Sequence, residues 1–225
     1  MKRLKLAATL ALCTAGLLTG CAGVQPGVAA QVGDETIRVS EINRITDGYC
    51  QAYERQLESD GEVLPMEFLV SNILYRLALS AAARQLADEY GVTPSSAYTE
   101  NVATLEQTVS ELEPLAAEAR LAVEGGGAYV SDILTSIGRQ ELDSDGVADP
   151  SEEEALARGQ DVMTVWLAEN EPDVDPQYGL RINDLQPSFI DTSTSFAVSD
   201  EAVAGSNREP DSSYAGELPD SQRCG

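Results

Sequence analysis

The stretch PMEFLVSNILYRLALSAAARQLADEYG, residues 65–91, carries apolar side chains around most of the girth of a helix. Leu69, Ile73, Leu77 and Ala81 form one stripe at helical spacing, and Phe68, Val70, Leu74 and Ala78 widen it beyond a surface helix's share. Pro65 suits a first turn and Gly91 a C-terminal cap. A helix so apolar has to be surrounded, so the reading places it at the centre of a mainly α fold with a small β component.

On its N-terminal side, Ala30 and Val32, then Ile37 and Val39, alternate with polar residues around Gly33-Asp34-Glu35, the pattern of a short hairpin. Ser40 reads as the N-cap of a helix whose buried face carries Ile42, Ile45, Tyr49, Tyr53 and Leu57 and which ends near Asp60-Gly61.

On the C-terminal side, Thr93-Pro94-Ser95-Ser96 breaks the chain before Val102, Leu105, Val109 and Leu112 restore helical spacing. Pro114 breaks or kinks that helix, a short helical piece follows to Val123, and Gly125-Gly126-Gly127 is expected to interrupt it. Val130, Ile133, Ile137 and Glu141 share one side of a further helix, with a loop over Asp143 to Asp149. Asp149-Pro150-Ser151-Glu152-Glu153 then combines a cap residue, a first-turn proline and acidic side chains. That helix should reach Glu169 and bury Ala155, Val162, Met163 and Trp166. After Glu171-Pro172 the period changes to two, so Tyr178, Leu180 and Ile182 read as a strand. Phe196 and Val198 are candidates for a second, and either could pair with the N-terminal hairpin. Residues 199–225 read as a polar tail without a core of its own.

The opening residues read as an export signal. Lys2, Arg3 and Lys5 precede a short apolar run, Leu6 to Leu18, and Leu18-Thr19-Gly20-Cys21 matches the bacterial lipobox, in which the cysteine receives diacylglycerol. The alternative is an ordinary signal peptide with a chance cysteine. On the first reading residues 1–20 are removed, Cys21 is lipidated, and residues 21–28 tether a domain spanning 29–198 to the outer face of the cytoplasmic membrane. Fully extended, such a tether reaches about 25 Å.

Removing residues 1–20 takes three of the 14 basic residues and no acidic one, so the formal net charge of −24 becomes −27, and no lysine remains. That charge repels nucleic acid and anionic lipid surfaces, which argues against a nucleic-acid partner. With Cys13 removed and Cys21 acylated, Cys50 and Cys224 are the remaining thiols, and an oxidising compartment favours a disulfide between them. Two free thiols or an intermolecular bond are the alternatives.

Without histidine or mature lysine, Ser-His, Cys-His and Ser-Lys nucleophile pairs are unavailable. The abundance of Asp and Glu leaves a carboxylate-based hydrolase as a minor alternative. Gly125 to Gly127 make no phosphate loop, because the Lys-Ser/Thr that should follow is missing. Asp143, Asp145, Asp149 and Glu154 hold the first, third, seventh and twelfth positions of an EF-hand-like spacing. Val147 and Ala148 occupy the fifth and sixth, where a ligand and a glycine belong, so no metal ligand and no cofactor is assigned.

Val32-Gly33-Asp34-Glu35-Thr36-Ile37 followed by Val39-Ser40-Glu41-Ile42, the long helix ending in Tyr90-Gly91-Val92-Thr93-Pro94, and Val174-Asp175-Pro176-Gln177-Tyr178-Gly179 together resemble the N-terminal module of the SurA and PrsA chaperones. The resemblance covers roughly residues 29–112 and 155–198, and is of the actinobacterial lipoprotein type. It implies a helical module with an N-terminal hairpin and a returning C-terminal strand that cradles unfolded or folding exported chains. Relatives of this type commonly insert a parvulin prolyl isomerase domain. Here the interval between Leu112 and Ser151 is too short for one and the chain has no histidine, so the resemblance implies the chaperone-type module without isomerase activity. A structural or protein-interaction lipoprotein that holds one specific envelope partner is the alternative.

Overall fold

The structure is a computed structural model that describes residues 25–190, 199, 203 and 212–225. It is mainly helical with a few short strands. Strands β1 (Val28–Val32) and β2 (Glu35–Arg38) form the expected hairpin, with Ala30 opposite Ile37 and Val32 opposite Glu35. β1 thus begins at the last residue assigned to the tether. Gly33, at φ +51°, makes the turn. The Gln85 side chain fixes it by donating to the Val32 carbonyl at 2.8 Å and accepting from the Asp34 N–H at 3.0 Å.

Helix α1 (Val39–Asp60) starts directly off β2. Its cap is Arg38 rather than Ser40, and the first helical N–H, that of Val39, donates to the Gly27 carbonyl at 3.0 Å. The hairpin backbone supplies what a serine side chain was expected to supply. Gly61, left-handed at φ +67°, ends the helix. After β3 (Leu64–Pro65), α2 (Met66–Tyr90) runs through the middle of the molecule and closes on the left-handed Gly91. Leu69, Ile73, Leu74, Ala78, Ala81, Ala82, Ala83, Leu86 and Ala87 are all buried, so little of its girth faces water.

Helix α3 (Ser96–Val109) is capped by Ser95, whose hydroxyl accepts from the Tyr98 N–H and whose own N–H donates to Asp132 at 2.9 Å. Pro114 then opens α4 (Pro114–Arg120) instead of kinking its predecessor. The triple glycine does not interrupt the chain's helical course. One π-helical stretch (Leu121–Gly125) passes straight into α5 (Gly126–Ser144). A Cβ at Gly126 would lie 2.7 Å from the Ser80 Oγ, so that glycine serves close approach to α2 rather than a break.

Helix α6 (Glu152–Glu169) is capped by Ser151, not Asp149, in a capping box with Glu154, and Pro150 lies just outside it. α5 and α6 pack through glycines. A Cβ on Gly138 would stand 1.8 Å from the Ala155 carbonyl oxygen, and one on Gly159 1.9 Å from that of Leu134.

The chain then returns. β4 (Asp173–Val174) pairs antiparallel with β1, giving a three-stranded sheet in the order β2-β1-β4. The hairpin's partner is therefore β4, not the strand expected at Tyr178–Ile182. That segment forms a 3₁₀ turn (Pro176–Tyr178) and the short β5 (Leu180–Arg181), which pairs with β6 (Ser188–Phe189), although Tyr178, Leu180 and Ile182 are buried as their alternation implied. Phe196 and Val198 lie outside the described residues.

The end of the chain is packed. Helix α7 (Ser212–Glu217) buries Ala215, and β7 (Arg223–Cys224) pairs with β3. Residues 212–225 thus pack against the rest of the domain, on a path that brings Cys224 to Cys50.

Candidate functional site

A cleft of about 320 Å³ opens where the last turns of α2 meet α5 and α6. One face of α6 forms its longest wall. Arg158, then Asp161 and Val162, then Val165 and Trp166, then Glu169 recur at three- and four-residue intervals, which brings them to one side of the helix. Leu86, Glu89 and Tyr90 face them from α2, and Glu141 enters from α5.

Trp166, only 6% exposed, is held in place by its indole N–H, which donates to Glu89 at 2.9 Å. The neighbouring Val165 is 58% exposed, the most exposed of the large apolar side chains among the described residues. Burial, then the charge of Glu141, hold the Tyr90 phenol above its usual range, so it stays neutral. Arg158 reaches Asp145 at 3.1 Å and Glu141 at 3.6 Å, which bridges α5 to α6. Its Nε is buried without a partner. Asp161 and Glu169 are exposed on the rim, and neither carboxylate makes a hydrogen bond or ion pair with the described residues.

The cleft is therefore aromatic and aliphatic inside and acidic at the rim, with four carboxylates against one guanidinium that is already engaged. Such a surface binds by apolar contact and by attraction for positive charge.

The sequence-predicted positions lie elsewhere. Cys21 lies outside the described residues. Cys50, on α1, and Cys224, on β7, are joined by a disulfide with their Cα atoms 5.6 Å apart. The acidic run at 143–154 is divided among structural roles. Asp143 lies in the last turn of α5, Asp145 follows that helix and pairs with Arg158, and Glu154 accepts from the Ser151 N–H and hydroxyl, which hold its carboxyl below the usual range. Among the described residues, no three or more His, Cys, Asp or Glu side chains come together as a metal site, and no helix is long and apolar enough to cross a membrane. The reading of the sequence missed the cleft. Val162 and Trp166 were assigned to a buried stripe, and the signal that they line a cleft is Asp161 and Glu169 falling on that same stripe.

Comparison with known proteins gives no match to a family model, to a curated protein or to a solved structure.

Proposed function

We propose that this chain is an exported lipoprotein, held to the outer face of the cytoplasmic membrane through a lipid on Cys21, whose helical domain binds unfolded or folding exported polypeptides without catalysing prolyl isomerisation. The observation that carries this reading is the return of β4 to β1. Ala30 pairs with Val174, so the two ends of the segment resembling the SurA and PrsA module close on one sheet with the helices between them. Beside the cleft, Val165 presents an exposed apolar side chain on a strongly acidic molecule. The first strand among the described residues starts at Val28, so a lipid on Cys21 would hold the domain within a few residues' reach of the membrane.

Two measurements test the proposal. Cys21→Ala should move the protein from the membrane to the soluble fraction and abolish its labelling by fatty acid; a variant that stays with the membrane contradicts the anchor. The purified chain beginning at Cys21 should slow aggregation of a reduced, unfolded client while leaving the rate of prolyl isomerisation in a test peptide at background. Unchanged aggregation, together with capture of one folded envelope protein, would favour the partner-holding alternative, and accelerated isomerisation would contradict the non-catalytic reading.

A further inference from the structure

We propose that the cleft between α2, α5 and α6 is the anchor point for one arginine or lysine side chain, flanked by aliphatic residues, in the polypeptides this domain binds. The inference rests on the polypeptide-binding reading and adds to it a location and a chemistry.

The size selects the occupant. At about 320 Å³ the cleft is at the lower end of ligand-sized cavities, room for one long side chain and its neighbours rather than for a folded surface. The lining selects its chemistry. A long cationic side chain has an aliphatic stem and a charged head, and it is stable where the stem lies on apolar surface and the head meets negative charge. The exposed Val165 and the half-buried Tyr90 and Val162, backed by the buried Leu86 and Trp166, offer the first; Glu89, Asp161 and Glu169 offer the second. The guanidinium already present, that of Arg158, is drawn to Asp145 and Glu141 on the α5 side, so it does not neutralise Asp161 and Glu169. An acidic segment would be repelled by those two carboxylates, and a neutral one would offer them hydrogen bonds but no charge. The mature chain has no lysine and a net charge of −27, so the same field that repels acidic partners draws basic segments in from a distance.

Trp166 is the single tryptophan of the chain, so its intrinsic fluorescence reports on this cleft directly. The test titrates the mature chain with a short unstructured peptide of leucine and valine residues carrying two arginines, and with the same peptide in which glutamine replaces each arginine. The expected result is a saturable change in Trp166 emission with the arginine peptide, about tenfold weaker binding of the glutamine peptide, and weakening of the arginine complex by added salt. Asp161→Asn with Glu169→Gln, both at exposed positions of α6, should weaken the arginine peptide about fivefold while leaving the thermal unfolding midpoint near that of the wild type. Equal affinity for both peptides, or an affinity indifferent to the double substitution, overturns the inference. Slowed aggregation of an unfolded client by a protein that ignores the arginine peptide would overturn the cleft assignment alone. Failure of the wild type in both assays would overturn the polypeptide-binding reading beneath it.

Discussion

Gly138 and Gly159 set the distance between α5 and α6, because at each a single methyl would overlap the backbone of the facing helix. Replacement of either by alanine removes no contact and improves helix propensity, yet the overlap with a carbonyl oxygen cannot be relieved by turning a side chain. Each substitution should therefore destabilise the fold by about 2 to 3 kcal/mol, read as a lower urea midpoint at unchanged slope. Gly159→Ala should in addition shift the emission of Trp166, two turns further along the same helix. Tyr75 presents a different single-residue effect. Burial, reinforced by the charge of Asp184, pushes its phenol up to about 12, above the value near 10 of an unfolded chain. The folded state thus favours the neutral phenol. Its contribution is fully present below pH 10 and is lost as pH rises from there through 12, because only the unfolded chain ionises in that window. Tyr75→Phe should leave the alkaline side of the stability profile shallower between those values, and an unchanged slope would contradict the assignment.

At the scale of elements, the strands β3 and β7 and the bond between Cys50 and Cys224 hold the end of the chain. The disulfide closes a separation of 174 residues, for which loop entropy sets an upper contribution of about 5 kcal/mol. Ala215 and Cys224 are buried as well, so packing and covalent closure act on the same segment. Cys50→Ser with Cys224→Ser should cost about 2 to 4 kcal/mol and make residues 212–225 the first site of proteolysis; protection equal to the wild type would mean that packing alone suffices. Elements whose signals are local were legible in the sequence: the glycines that end α1 and α2, the apolar girth of α2, and the turn at Gly33. Elements decided by a distant neighbour were not. Ser40 has the chemistry of a cap, but Gly27 performs that task because the hairpin lies against the helix start. The triple glycine looks like a break, yet the chain runs on through it into α5, where Gly126 lies close to the Ser80 side chain of α2. The cleft depends on Glu89 and Trp166 meeting across 77 positions, and the three- and four-residue spacing on α6 alone does not separate a cleft wall from a core stripe.

Among the described residues the chain makes one long helical excursion that leaves the sheet after β2 and returns to it at β4, with α2 as its axis and the C-terminal segment fastened across α1. A net charge of −24 disfavours anionic partners and favours basic ones. The cleft is small, so a bound chain would be held at separated points, with affinity arising from an apolar and cationic anchor rather than from a broad buried surface. The central claim is that this domain recognises polypeptides by their unfolded state. Its most direct test is the binding of the mature chain to one secreted protein prepared both folded and, by reduction and alkylation of its disulfides, permanently unfolded, followed by calorimetry under identical conditions. The account predicts saturable binding of the unfolded form and none of the folded form; equal binding of the two, or binding of neither, would contradict it.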